Sequence, residues 1–182
     1  MAVNANLGSY SPEQVVVILS NDKFSHTLSG TADGTFISFE RGVPRATLYV
    51  GSDNSAARVL RTNKSGTITF TLHQAAESND VLSELARLDE ESGDNSWLFS
   101  IQIKDLQGRS VLYASQAFIG NDPTMDYGTD LGTRVWTIEV VNADRHFGGN
   151  SKLSPENEST LGDFGYVVDD KWKINTPTTP TP

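Results

Sequence analysis

The sequence predicts a mainly β protein, an antiparallel β-sandwich or barrel with one flanking α-helix at about residues 79–91. Three observations carry this expectation. Apolar residues recur at a period of two along much of the chain, the mark of half-buried strands. The alternating runs are short and punctuated by Gly, Asn and Asp, as in sandwiches and barrels. One segment, Ser78–Glu91, reads instead at helical spacing.

Gln14–Leu19 is a continuous apolar run, short enough for a buried strand. Thr35–Glu40 and Arg58–Thr62 are the next strand candidates. Between them, Val43–Ala57 is expected to project from the body. Its middle, Ala46–Val50, keeps enough alternation for a hairpin closed by Gly51-Ser-Asp-Asn-Ser55; an ordinary internal strand is the alternative reading. Gly66–Leu72 is the clearest strand, with Ile68, Phe70 and Leu72 on one face and Thr67, Thr69 and Thr71 on the other.

Ser78–Glu91 is expected to open on capping residues Ser78 and Asn79, with Asp80 in the first turn where the helix dipole favours it. Val81, Leu82, Leu85 and Leu88 form its apolar stripe, and Gly93 stops it. Ser96–Lys104 carries Trp97, Phe99, Ile101 and Ile103 on one face. Asp105–Gly108 reads as a turn into Ser110–Ala114, with Gly108 available for positive φ, and Gln116–Ile119 continues the pairing. Arg134–Val141 is a late strand with Trp136, Ile138 and Val140 on one face.

Gly120–Gly132 and Asn142–Gly162 are turn-rich and given no regular structure, and loops of that length in a compact domain are uncommon unless they bind something or are disordered. Residues 1–174 are expected to form a single β domain, with about 142–174 an extension. Asn175–Pro182 alternates Thr and Pro and is expected to be a flexible tail, dispensable for folding.

The 182 residues contain no cysteine, which fits folding in a reducing cytosol and leaves no thiolate ligand or nucleophile. The first residues lack the basic and apolar regions of a secretory signal. The longest apolar run, Val15–Leu19, is far short of the ~20 residues a membrane helix needs, so a soluble protein with no membrane partner is expected. Net charge is −9, which argues against a surface that grips nucleic acid by its phosphates.

No catalytic, cofactor-binding or metal-ligating residues are expected from the sequence. His26, His73 and His146 share no motif and no element. The acids Asp89, Glu90, Glu91 and Asp94 lack the alternating spacing of a calcium loop and read as a solvated helix end. Asp53-Asn-Ser-Ala fails the same test, and Asp169-Asp170 reads as a turn. Gly30-Thr-Ala-Asp-Gly34 is a glycine-bounded turn, and no phosphate loop, nucleophile elbow or dinucleotide fingerprint occurs. The expectation is a structural protein, not an enzyme, without cofactors.

Four segments, in order, carry a family resemblance: Tyr10–Ile18, Leu28–Arg41 with its Ala-Asp-Gly-Thr-Phe, Arg61–Leu72 entered through Lys-Ser-Gly, and Ser78–Leu85 entered through Ser-Asn-Asp. The resemblance they mark covers roughly residues 10–145. They resemble a family of structural proteins of contractile-tailed bacteriophages, regarded as tail tube subunits. The resemblance implies six-membered rings whose inner strands join into a β-lined channel. It also implies rings stacked through long loops and an N-terminal arm. DNA would pass an acidic lumen without specific binding. The implied partners are the chain itself and the sheath, baseplate and tape-measure proteins, and the implied location is the virion tail, assembled in the host cytoplasm. The alternatives are a tube of a related contractile machine, or a carbohydrate-binding or capsid decoration module using Trp97, Trp136 and Trp172.

Overall fold

A computed structural model describes residues 7–174; the Thr-Pro segment Asn175–Pro182 lies outside the described residues. The strands are β1 (Val15–Ser20), β2 (Ser25–Thr27), β3 (Ile37–Arg41), β4 (Ala46–Val50), β5 (Ala56–Leu60), β6 (Gly66–His73), β7 (Phe99–Asp105), β8 (Val111–Asn121), β9 (Thr133–Val140) and β10 (Ala143–His146). The helices are α1 (Ser78–Ser92) and α2 (Pro155–Asp163). The mainly β, antiparallel class is as the sequence predicts, but the flanking helix is not alone.

Eight strands form one sheet in the order β2-β1-β7-β8-β9-β6-β3, with β10 also paired to β8, while β4 and β5 pair only with each other. All the pairings between these strands are antiparallel. The β9 and β10 segments lie along β8 in one register: Val140 faces Ala117 and Ala143 faces Ala114. They are one strand interrupted at Val141-Asn142. The sheet curls, so that Ile37 and Phe39 of β3 share a cleft with Val15 of β1 and Ile103 of β7.

The period-two pattern is what fills the interior. Along β6 each of Gly66, Ile68, Phe70 and Leu72 is buried while Thr67, Thr69, Thr71 and His73 are partly exposed. On β9 the buried set is Trp136, Ile138 and Val140. Phe70 lies opposite Trp136 and Ile68 opposite Ile138, pairs that stabilise a sheet through contact on one face. On the other face Thr67 donates to the Glu139 carboxylate at 3.0 Å. Phe99 and Ile101 of β7 and Val17 and Leu19 of β1 extend the same core.

The strand predicted over Ser96–Lys104 starts later, at Phe99, because Asn95–Trp97 is a turn of 3-10 helix capped by Asp94. Gly108 does not adopt positive φ. It is glycine for space: a Cβ there would lie 2.9 Å from Asn150 Oδ1 and crowd the Asp105 carboxylate.

Helix α1 ends at Gly93, in the left-handed conformation with φ 61°, as expected. Its start is not as expected. Ser78 and Asn79 do not cap it; the N-cap is Glu77, without a side-chain bond. The Ser78 hydroxyl is buried and accepts from Ser29 N–H at 2.9 Å, and it also meets His26 Nε2 at 3.0 Å. Asn79 donates to the His73 carbonyl and accepts from the Trp136 indole N–H at 3.0 Å. Both side chains therefore tie the helix to the sheet. Of the predicted stripe, Leu82 and Leu85 are buried, Leu88 is half-buried and Val81 is 36% exposed. Leu85→Ala is accordingly expected to cost about 2–5 kcal/mol, and Val81→Ala well under half of that, measured by urea unfolding. Equal losses at the two positions would show that the helix is seated differently.

Two elements replace predicted irregular chain between Asn142 and Gly162. β10 completes the β8 edge, and α2 begins at Pro155 with Ser154 accepting from Asn157 N–H. Gly120–Gly132 is largely irregular, as read, although its first two residues end β8.

Candidate functional site

The three histidines do not converge. His26 lies on β2, His73 ends β6 and His146 ends β10, stacked on Tyr166 with ring centroids 5.0 Å apart. Partial burial lowers the His26 pKa from its ordinary value. Among the described residues no three His, Asp or Glu side chains group as metal ligands. Asp53 and Asp169 turn out to be turn and cap residues, accepting from Ser55 N–H and Lys171 N–H respectively. The tryptophans also separate. Trp136 is 2% exposed, so it offers no stacking platform. Trp97 carries Lys23 over its ring, and Trp172 carries Arg109.

The conspicuous features are on the surface, and the β4–β5 hairpin leads them. Every residue of both strands is exposed. Val50 pairs with Ala56, Leu48 with Arg58 and Ala46 with Leu60. Because directly opposed residues share a face, Leu48, Val50 and Leu60 surround Arg58 on one side, and Tyr49 and Val59 lie on the other. The tip is set by local chemistry. Gly51 N–H donates to the Ser55 carbonyl at 2.8 Å, and Asn54 takes a φ of 62°. Asp53 accepts from both the Ser55 amide and hydroxyl, bonds that hold its pKa below the usual carboxylate value.

The base of the hairpin is basic. The Arg41 guanidinium donates to the carbonyls of Asn63 and Arg61, and Arg61 N–H donates to the Arg45 carbonyl at 2.9 Å. Arg41, Arg45, Arg61, Lys64 and Arg145 line a cleft of about 410 Å³, where Lys64 pairs with Asp144. Burial, and the repulsion of Arg41 and Arg45, lower the Arg145 pKa. From Arg41 to Lys64 the chain holds five cations and Asp53 alone among acids, a net +4 in a protein of net −9.

A second surface is the connection from β8 to β9, where Met125, Tyr127 and Leu131 are exposed. Arg134 of β9 holds it by donating to the Thr124 and Asp126 carbonyls and to the Asp126 carboxylate at 3.0 Å. A third is acidic. Helix α1 carries Asp80, Glu84, Asp89, Glu90 and Glu91 against Arg87, which Glu84 and Glu91 hold in ion pairs. Between α1 and Phe24 and Trp97 runs an apolar groove of about 500 Å³, with Asp80 and Glu84 among its lining residues.

A curled antiparallel body that sends an uncovered apolar hairpin into solvent is built as a structural assembly subunit. The chain belongs to the Bacteriophage PhiTE tail tube protein family, whose model matches residues 10–148. This is a structural family and not an enzyme family. Among curated proteins the chain is 36% identical over 166 residues to Structural protein ORF10 of Pseudomonas phage KPP10, covering 90% of this chain and 96% of that one. Two solved structures are loosely similar. One is the anti-feeding prophage cap, the AFP tube terminating cap: TM-score 0.46, 13% identity, 80% of this chain and 99% of that one. The other is the sheath/tube terminator of an extracellular contractile injection system, PVC, in the extended state: TM-score 0.40, 8% identity, 76% and 97%. The protein is a phage tail component of the tube family.

Proposed function

We propose that the protein is the repeating tube subunit of a contractile tail, forming hexameric rings that stack into a channel for DNA. The observation that carries this reading is the β4–β5 hairpin, exposed on both faces and, among the described residues, paired with no other strand. Such an edge is a liability on a free monomer; a neighbouring ring that covers it turns the liability into a contact. Exposed Met125, Tyr127 and Leu131 supply further apolar surface for the same purpose.

Charge supports the channel. With the basic hairpin region set aside, the remaining residues carry a net −13. A lumen lined by such acids would repel phosphates, so that DNA passes without being held. In this role the outer surface meets sheath, the end rings meet baseplate, and the lumen takes the tape-measure protein during assembly in the host cytoplasm. Purified protein is expected to form rings or tubules by negative-stain microscopy as concentration rises, with baseplate added as initiator where it is needed. A monomer by light scattering at every concentration and salt, initiator included, would overturn the reading.

A further inference from the structure

We propose that the β4–β5 hairpin of one subunit docks in the α1 groove of a second copy of this chain, with Arg58 of the hairpin against Asp80 of the groove. The inference rests on the tube reading above and supplies the receptor which that reading leaves open.

Polarity matches first. The hairpin face that carries Leu48, Val50 and Leu60 is apolar apart from Arg58. The groove is mostly apolar, and its carboxylates are Asp80 and Glu84. Among the described residues neither the Arg58 nor the Asp80 side chain has a hydrogen bond or ion pair, whereas Glu84 is already engaged by Arg87. Burying Leu48 and Val50 without pairing Arg58 would strand a charge; Asp80 supplies the partner.

The wider charge distribution matches as well. Arg41–Lys64 carries a net +4 and α1 a net −4. Opposed patches of this kind fix orientation and suppress wrong pairings. The two net charges sit on different elements of one subunit.

Topology then supplies direction. The hairpin leaves β3 at Arg41 and re-enters β6 at Gly66, whereas α1 follows the other end of β6, after His73. Eight strand residues at ~3.3 Å each separate those ends by roughly 25 Å. Helix α1 therefore begins at the end of β6 opposite the hairpin, and hairpin and groove are built from different elements. A contact between two different patches is heterologous and propagates from copy to copy, as a stack of rings requires.

The natural chain has no cysteine, so an introduced pair reports this contact without background. Leu48→Cys with Leu88→Cys, assembled and mildly oxidised, is expected to give a ladder of covalent oligomers on a non-reducing gel, which neither single variant gives. In parallel, Arg58→Asp is expected to raise the concentration needed for assembly at least tenfold, and adding Asp80→Arg to recover most of that loss. Thermal unfolding of each variant checks that the subunit itself is intact. Tubules without a ladder, together with Arg58→Asp assembling as wild type, overturn the docking and leave the tube reading standing. A ladder without rings or tubules keeps the docking and overturns the tube reading. A monomer that gives neither overturns both.

Discussion

A protein carrying Leu48→Asp with Tyr49→Asp is expected to melt where the wild type does and to form no stacked tubules. Leu48 is 74% exposed and Tyr49 62% exposed. Substitutions at such positions usually change subunit stability by less than about 0.5 kcal/mol. The two side chains point to opposite faces of the hairpin, so the pair of changes removes the apolar contact whichever face the neighbour covers. Each apolar side chain withdrawn from an interface forfeits about 1.5–3 kcal/mol, and each carboxylate buried without a partner adds a further penalty. Multiplied around a ring, this is ample to prevent stacking. Rings that remain but do not stack are the predicted product in electron micrographs. Normal tubules would remove the hairpin from the assembly contacts, and an unfolded subunit would mean that the segment is packed in the body.

Trp136→Ala is expected to be the most damaging single change to the subunit, lowering stability by about 3–5 kcal/mol. Domains of this size typically hold only 5–15 kcal/mol in total, so the variant should be marginal. Trp136 is buried on β9 opposite Phe70. Its indole N–H donates to Asn79 Oδ1 at 3.0 Å, and Asn79 in turn donates to the His73 and Gln74 carbonyls. One residue thus fills the core and fastens α1 to the sheet. Trp136→Phe separates the two contributions: it retains most of the apolar contact and strands the Asn79 acceptor, for a cost of about 1–3 kcal/mol. Urea unfolding measures both, and a loss under 1 kcal/mol for Trp136→Ala would show that the ring is not in the core.

Some of the fold was legible because the physics is local. β6 and β9 read directly from alternation, since a strand with one face inside must place every second residue there. Gly93 could be read as a helix stop because a left-handed residue is needed there. A local signal for α2 is also present: Ser154 followed by Pro155, with Glu156 and Glu158 in the first turn, is a helix start. The helix buries no residue, so the apolar periodicity that marked α1 was missing. β10, Ala-Asp-Arg-His, has one buried side chain and no pattern of its own. It is a strand because β8 outruns β9 and leaves an edge to be paired.

Of the two proposed docking surfaces, one is legible in the sequence. The hairpin was anticipated, with its tip at Gly51–Ser55, but the strand read as Arg58–Thr62 is its returning arm, Ala56–Leu60. The groove was not anticipated. Its walls come from Phe24, from α1 and from Trp97, three stretches whose adjacency no local pattern encodes.

By itself the sequence determined the strand periodicity, the helix with its glycine stop, the charge excess and the family resemblance, because each depends on neighbours along the chain. Only the tertiary structure decided which alternating segments are inside. Ile68-Thr-Phe-Thr-Leu72 and Ala46-Thr-Leu-Tyr-Val50 look alike as sequence, yet Leu72 is wholly buried and Leu48 is 74% exposed. β6 has β3 and β9 on its two edges and α1 following it, whereas β4 has only β5. Burial is a property of what arrives from elsewhere in the chain, and among the described residues none arrives to cover the hairpin.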